Sequence, residues 1–226
     1  MKPPKYHRMF GYNLDLLPNV HLAELERCAT NIKEARALTG ATIGYPGWGV
    51  IYYILLSHLD RAREEILLET GTNWGCTTII LAQALKDAKC KGKVITIELE
   101  PENIARAKEN FKAANLTDTI DIRQGRSQDE LAKIVKQHSN IRFAFLDASH
   151  LFDDVMDEFE TILPALTDDA IVLFDNTYQI AENHEDQRVN GALQHIQKKH
   201  GGNLINMEFV SWFTPGLAIW QKALNL

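Results

Sequence analysis

From Glu65 onward the chain alternates between two hydrophobic rhythms. Short unbroken apolar runs, the mark of buried strands, are followed by longer stretches with apolar residues every third or fourth position. The runs "EILLET" (65–70), "KVITIE" (93–98), "TIDIRQG" (119–125), "IRFAFLD" (141–147) and "DAIVLFD" (169–175) predict five strands. Between them "CTTIILAQALKD" (76–87), "PENIARAKENFKAAN" (101–115), "SQDELAKIVKQ" (127–137) and "LFDDVMDEFETILPAL" (151–166) predict helices. Pro101 suits a first helical turn, and Ser127 is a capping residue followed by acids. A further helix near 186–199 precedes "LINMEFVSW" (204–212) and "GLAIWQK" (216–222), two runs separated only by "FTPG". Before the alternation, "VHLAELERCATNIKEARAL" (20–38) predicts one amphipathic helix stopped by Gly40, and "VIYYILLSHL" (50–59) predicts another, with a Gly/Pro loop between.

Strands alternating with helices require crossover connections, so the sheet is parallel and covered on both faces. "FTPG" is too short for a helix, so the last two strands form an antiparallel hairpin at the edge. The expectation is an α/β, Rossmann-like, seven-stranded, mostly parallel sheet. With no repeat or linker, residues 1–226 read as a single domain: an N-terminal helical cap over 1–60 and a Rossmann-like core over 65–226. The apolar face of the N-terminal helix covers either the chain's own core or a partner's, which leaves a homodimer open.

In such a sheet ligands collect at the carboxyl ends of the strands. Those ends are "ETGTNWG", Glu98, "QGRSQD", "DASH" and "DNTY", and four of the five place an acid or acceptor where burial disfavours it. Gly71 and Gly75 let a ligand approach the backbone, and the following helix N-terminus receives an anion. The turn has only two glycines and a bulky Trp74, so it is not a pyrophosphate cradle of the GxGxxG kind. Glu98 suits two ribose hydroxyls, a device shared by NAD enzymes, and so indicates a nucleoside without choosing which.

"ETGTNWG", "TIELEP", "GRSQD", "FLDASH" and "LFDNT", in that order, resemble the class I S-adenosylmethionine-dependent methyltransferases, and within them the catechol O-methyltransferase-like group. The resemblance runs from about Glu65 to Tyr178. It implies that Glu69, Gly71 and Thr72 lie along the methionine part of S-adenosylmethionine, with Thr77 near its carboxylate. It also implies that Glu98 holds the ribose, Leu99 borders the adenine, and Ser127 and Gln128 bond its edge. Asp147, Asp175 and Asn176 match the positions that hold a divalent cation, and Asp147 is also placed beside the cofactor. Two carboxylates and an amide oxygen suit a hard ion such as Mg²⁺. Without a cation, Asp147 could hold the cofactor's ammonium while Asp175 and Asn176 cap a turn. The catechol enzymes carry a lysine base where this chain has His150; an imidazole is a reasonable base for a hydroxyl, so His150 and Asp147 are the catalytic candidates.

Other candidates are weaker. Tyr45, Trp48, Trp212 and Phe213 could wall an aromatic pocket, His184 and Arg188 could meet a substrate from a lid over 179–188, and Cys76 opens a helix. The acids of "DDVMDEFE" read as the wet face of their helix.

Composition narrows the class. An apolar share of 45% and a charged share of 24% are those of a soluble globular protein. A net charge of −6, with no basic stripe, argues against nucleic acid as partner. No apolar run is long enough to span a bilayer, and "MKPPKYHRMF" lacks a signal-peptide core. Three scattered cysteines fit a reducing compartment, so the expected location is cytoplasmic. The function expected is transfer of a methyl group from S-adenosylmethionine to a small-molecule hydroxyl, assisted by a divalent cation. The alternatives are an NAD-dependent oxidoreductase and a non-catalytic nucleoside-binding module.

Overall fold

The computed structural model describes residues 17–29, 32–40, 44, 47–177, 188–207 and 216–222. Its helices are α1 (Val20–Cys28), α2 (Ile32–Thr39), α3 (Gly47–His58), α4 (Cys76–Ala88), α5 (Pro101–Ala113), α6 (Ser127–Gln137), α7 (Phe152–Ile162) and α8 (Arg188–His200). Its strands are β1 (Glu64–Thr70), β2 (Lys91–Glu98), β3 (Ile120–Gln124), β4 (Ile141–Leu146), β5 (Leu166–Asp175), β6 (Asn203–Met207) and β7 (Leu217–Gln221).

They form one seven-stranded sheet in the order β3-β2-β1-β4-β5-β7-β6. The first five strands pair in parallel, and β7 joins antiparallel to both β5 and β6. The expected architecture and C-terminal hairpin are therefore present. The chain builds outward from β1 to β3, then returns to place β4 on the other side of β1, so the switch point lies between β1 and β4.

Alternate strand residues face opposite sides, and each side has its own core. Leu67, Phe143 and Phe145 pack with Ile79 and Leu85 of α4, Phe111 of α5, and Trp48, Ile51 and Leu55 of α3. Leu22 and Ala23 of α1 join this cluster, so the N-terminal helices share a core with the sheet. On the other side Ile66, Leu68 and Ile95 pack with Leu131 of α6, Phe159 of α7 and Leu193 of α8. No helix among the described residues is long and apolar enough to cross a membrane.

Three boundaries differ from expectation. The single helix expected over 20–38 is two helices, α1 and α2, with residues 30 and 31 outside the described set. Helix α3 starts at Gly47, before the apolar run that marked it, and two glycines are within its first turn. Helix α7 ends at Ile162 because Pro164 cannot continue it; Leu163–Ala165 form one 3₁₀ turn, and β5 starts at Leu166. Of the run 204–212, the last five residues lie outside the described set.

The end of the sheet away from the switch-point turns is held by a buried ion network. Arg142 of β4 is 7% exposed; it donates to Glu65, which is fully buried, and to Asp169 at 2.8 Å. Glu65 also accepts from the Asp60 amide at 2.7 Å. Removing one member of a buried pair strands the other's charge. Arg142→Met is expected to cost about 3–5 kcal/mol in urea denaturation; a loss under about 1 kcal/mol would show that the network does not hold the sheet.

Candidate active site

The site begins where β1 ends. Gly71 takes φ 80°, and its amide and that of Thr72 donate to the Ile97 carbonyl at 3.0 and 3.1 Å. A Cβ on Gly71 would collide with the Asp147 carbonyl, so glycine is what lets β1 and β4 close on each other at their ends. Gly75, at φ 77°, starts α4 without a side-chain cap, leaving the positive end of that helix turned to the same edge; Thr77 lies in its first turn.

Glu98 ends β2 and is pinned by three backbone amides. Its Oε2 accepts from Asn73 at 2.6 Å, and its Oε1 from Leu99 and Glu100 at 2.9 Å each. Oε2 retains one acceptor position. Leu99, 54% exposed, sits beside it as an apolar surface.

Gly71, Thr72, Thr77, Glu98, Leu99, Ser127, Gln128, Asp147, His150, Asp175 and Asn176 line one cavity of about 490 Å³. All of the expected site residues but one thus meet around a single space at the switch point.

At one end of it the two strand-end acids face each other. Carboxylate oxygens of Asp147 and Asp175 lie within 4.8 Å of each other, close enough that two ionised groups repel. Burial pushes the Asp147 carboxyl up to about 8, and the nearby Glu69 and Glu158 add to that. Burial, then the charge of Asp147, holds Asp175 well above the usual carboxylate range. Asp175 Oδ1 is buried with no hydrogen-bond partner.

His150 completes the group. Its Nε2 is 3.4 Å from Asp147 Oδ1 and 2.9 Å from the Asn176 amide nitrogen. Asn176 takes φ 55°, a left-handed conformation asparagine tolerates, which directs its side chain back toward His150. Burial lowers the His150 pKa, against the opposing pull of Asp175, so the ring is neutral at pH 7. Ligand atoms of Asp147, His150 and Asp175 all lie within 4.8 Å of one another. Two adjacent carboxylates, an orphaned buried oxygen and a neutral imidazole suit a divalent cation, whose charge would satisfy that oxygen and offset the repulsion of the two acids.

Residues 68–177 match the family described as "Methyltransferase domain". This stretch is a methyltransferase domain. The chain is 30% identical over 143 residues to a catechol O-methyltransferase from Niastella koreensis, an alignment covering 61% of this chain. The chain spans 62% of that relative's length. An O-methyltransferase from Bacillus cereus, solved in complex with SAH, superposes with TM-score 0.72 at 21% identity over 90% of each chain. An O-methyltransferase of tomaymycin synthesis from Streptomyces achromogenes, in complex with SAM, gives 0.70 at 19% identity over 91% of each. The domain is of the class I type and resembles the catechol O-methyltransferases, which sets aside the oxidoreductase alternative.

One expected site residue of the methyltransferase domain is corrected. Glu69 does not line the cavity: it is 1% exposed, and its Oε2 accepts from Thr78 at 2.5 Å and Thr96 at 2.6 Å. Thr96 in turn meets Thr72 at 2.6 Å, so Glu69 lies behind the cavity wall. Two acids of α7 that read as solvated are instead part of the construction. Asp154 lines the cavity, and Glu158, 1% exposed, accepts from Thr70 at 2.9 Å. Their i,i+4 spacing, one on the rim and one beneath it, was the available signal.

Among the weaker candidates, Trp48 and Cys76 are packed in the core at 0% and 1% exposure. Arg188 opens α8. Tyr45, His184, Trp212, Phe213 and the segment 179–187 lie outside the described residues.

Burial raises the Glu69 carboxyl from the usual 4.5 to about 7. Its folded value therefore lies above its unfolded one, and the stability it contributes is full below the unfolded value and lost as pH rises toward about 7. Glu69→Gln keeps an acceptor for the threonines and removes this titration. In metal-free urea denaturation, the variant's stability relative to wild type should rise by on the order of 3 kcal/mol between pH 4 and pH 8. A difference that does not change with pH would contradict the buried, titrating Glu69.

Proposed function

We propose that this chain transfers a methyl group from S-adenosylmethionine to a hydroxyl of a small molecule, and that a divalent cation, Mg²⁺ being the expected ion, assists. The observation that carries the reading is the gathering of Asp147, Asp175 and His150 ligand atoms within 4.8 Å of one another, in the same cavity as Glu98, Ser127 and Gln128.

In this reading Glu98 takes the ribose hydroxyls, Leu99 covers one face of the adenine, and Ser127 and Gln128 meet its edge. Gly71, Thr72 and Thr77 line the methionine end, where the uncapped start of α4 favours a carboxylate. Asp147, Asp175 and Asn176 hold the cation, which supplies charge to orient an acceptor hydroxyl and lower its pKa. Transfer forms one C–O bond, breaks the methyl C–S bond of the sulfonium donor and releases the hydroxyl proton. His150 is the acceptor for that proton: burial keeps its ring neutral, and Asp147 at 3.4 Å steadies the imidazolium that results. Asp147 thereby serves both cation and base.

Asp175→Ala separates the cation from the nucleoside. In calorimetric titrations it should lose Mg²⁺ or Mn²⁺ binding while its affinity for S-adenosylhomocysteine stays within about threefold of wild type. Methylation of a panel of small phenols should fall by about a thousandfold, as it should for wild type in strong chelator. Undiminished transfer in both cases would remove the cation from the proposal, and a wild type without affinity for S-adenosylhomocysteine would remove the methyl donor.

A further inference from the structure

Asp154 has both carboxylate oxygens committed to cavity residues. Its Oδ1 accepts from Gln128 Nε2 at 3.2 Å, and its Oδ2 from Ser149 Oγ at 2.5 Å. An ionised carboxylate accepts and cannot donate, so the Gln128 atom that faces it is the amide nitrogen. The Gln128 oxygen is thereby turned the other way, where Ser127 Oγ lies 3.3 Å from it. A serine hydroxyl can donate or accept, so Ser127 would tolerate either amide orientation; Asp154 does not. A carbonyl oxygen takes two hydrogen bonds, and Gln128 Oε1 keeps one for a ligand in the cavity that both residues line.

We propose that Asp154 is a positioning residue that selects the purine of the bound nucleoside: by fixing Gln128 with its oxygen outward, it makes that wall accept a 6-amino group and reject a 6-oxo group. This rests on the reading of Ser127 and Gln128 as the adenine edge. Adenine offers an amino donor at position 6, whereas hypoxanthine would bring a carbonyl against the Gln128 oxygen, leaving two desolvated acceptors opposed. Asp154 sits in the first turn of α7, where a carboxylate is favoured, and Ser149 anchors it to the loop that carries Asp147 and His150. The base-reading amide is thus oriented from the acidic end of the cavity.

The test compares dissociation constants of S-adenosylhomocysteine and S-inosylhomocysteine, which differ by a 6-amino against a 6-oxo group and by the proton that the latter carries on N1, by titration calorimetry on the full chain. Wild type should prefer the adenosyl compound by about thirtyfold or more, the loss expected when an acceptor faces an acceptor. Asp154→Asn offers Gln128 both a donor and an acceptor, and Asp154→Ala offers neither. In each the preference should fall to about threefold or less, and Asp154→Glu should restore most of it. A role in merely supporting the fold would weaken both ligands alike and leave their ratio unchanged. An unchanged ratio in Asp154→Asn and Asp154→Ala, or a wild type that does not discriminate, overturns the role of Asp154 while leaving S-adenosylmethionine as donor. A wild type that binds neither compound overturns the donor as well.

Discussion

Two carboxylates held side by side at the ends of adjacent parallel strands are the constraint from which the rest of the site follows. Leu146 of β4 pairs with Phe174 of β5, so the next residues, Asp147 and Asp175, emerge level and on the same edge. The register is fixed by the apolar residues below them, Phe143, Phe145 and Leu173 on one face and Ala144, Val172 and Phe174 on the other. The acids have no freedom to separate. Ionised together within 4.8 Å of each other, they would repel by roughly 3 kcal/mol in a medium of intermediate dielectric. Either a proton or a cation must lie between them. Burial raises both carboxyls, the charge of Asp147 raises Asp175 further, and one Asp175 oxygen is left unpartnered beside His150.

Around this pair the fold spends stability on function. Glu69 and Glu158, each 1% exposed, are both pushed to about 7 by burial, and threonines supply the hydrogen bonds that make the burial tolerable. Thr70 links two parts of this arrangement: its hydroxyl donates to Glu158 and accepts from the Asp147 amide at 3.2 Å. The two apolar layers, with Trp48, Phe143, Phe145 and Phe159 fully buried, supply the opposing stabilisation. Pockets assembled at a switch point need such backing, because their lining comes from several strand ends and no single element holds it.

Much of this was legible in the sequence. Short unbroken apolar runs that alternate regularly with stretches of period three to four have little ambiguity, so the sheet, its parallel part and its hairpin could be read from apolar spacing. The strand ends could be read because polar residues directly after apolar runs have few reasons to be there. What could not be read depended on contacts between distant segments. Glu69 sits at a strand end like Glu98 and Asp147, and only the arrival of Thr78 and Thr96 decides that its side chain is enclosed. Asp154 belongs to the polar stripe of an amphipathic helix; that the stripe borders Gln128 and Ser149 is a matter of how α7 packs on α6. The division of the expected first helix into α1 and α2 was likewise invisible to helical spacing, which continues across it.

The proposed reaction needs one spatial relation: the nucleoside end marked by Glu98 and Gln128 and the acid end marked by Asp147 and Asp175 must belong to one ligand site, with donor sulfur and cation side by side. A crystal structure of the protein grown with S-adenosylhomocysteine and Mn²⁺ tests it most directly, because both the sulfur and the metal can be located from anomalous scattering. The expected result is the ribose on Glu98, the metal between Asp147 and Asp175, and the sulfur facing it across the cavity. Metal density away from both aspartates, or a nucleoside bound elsewhere, would contradict it.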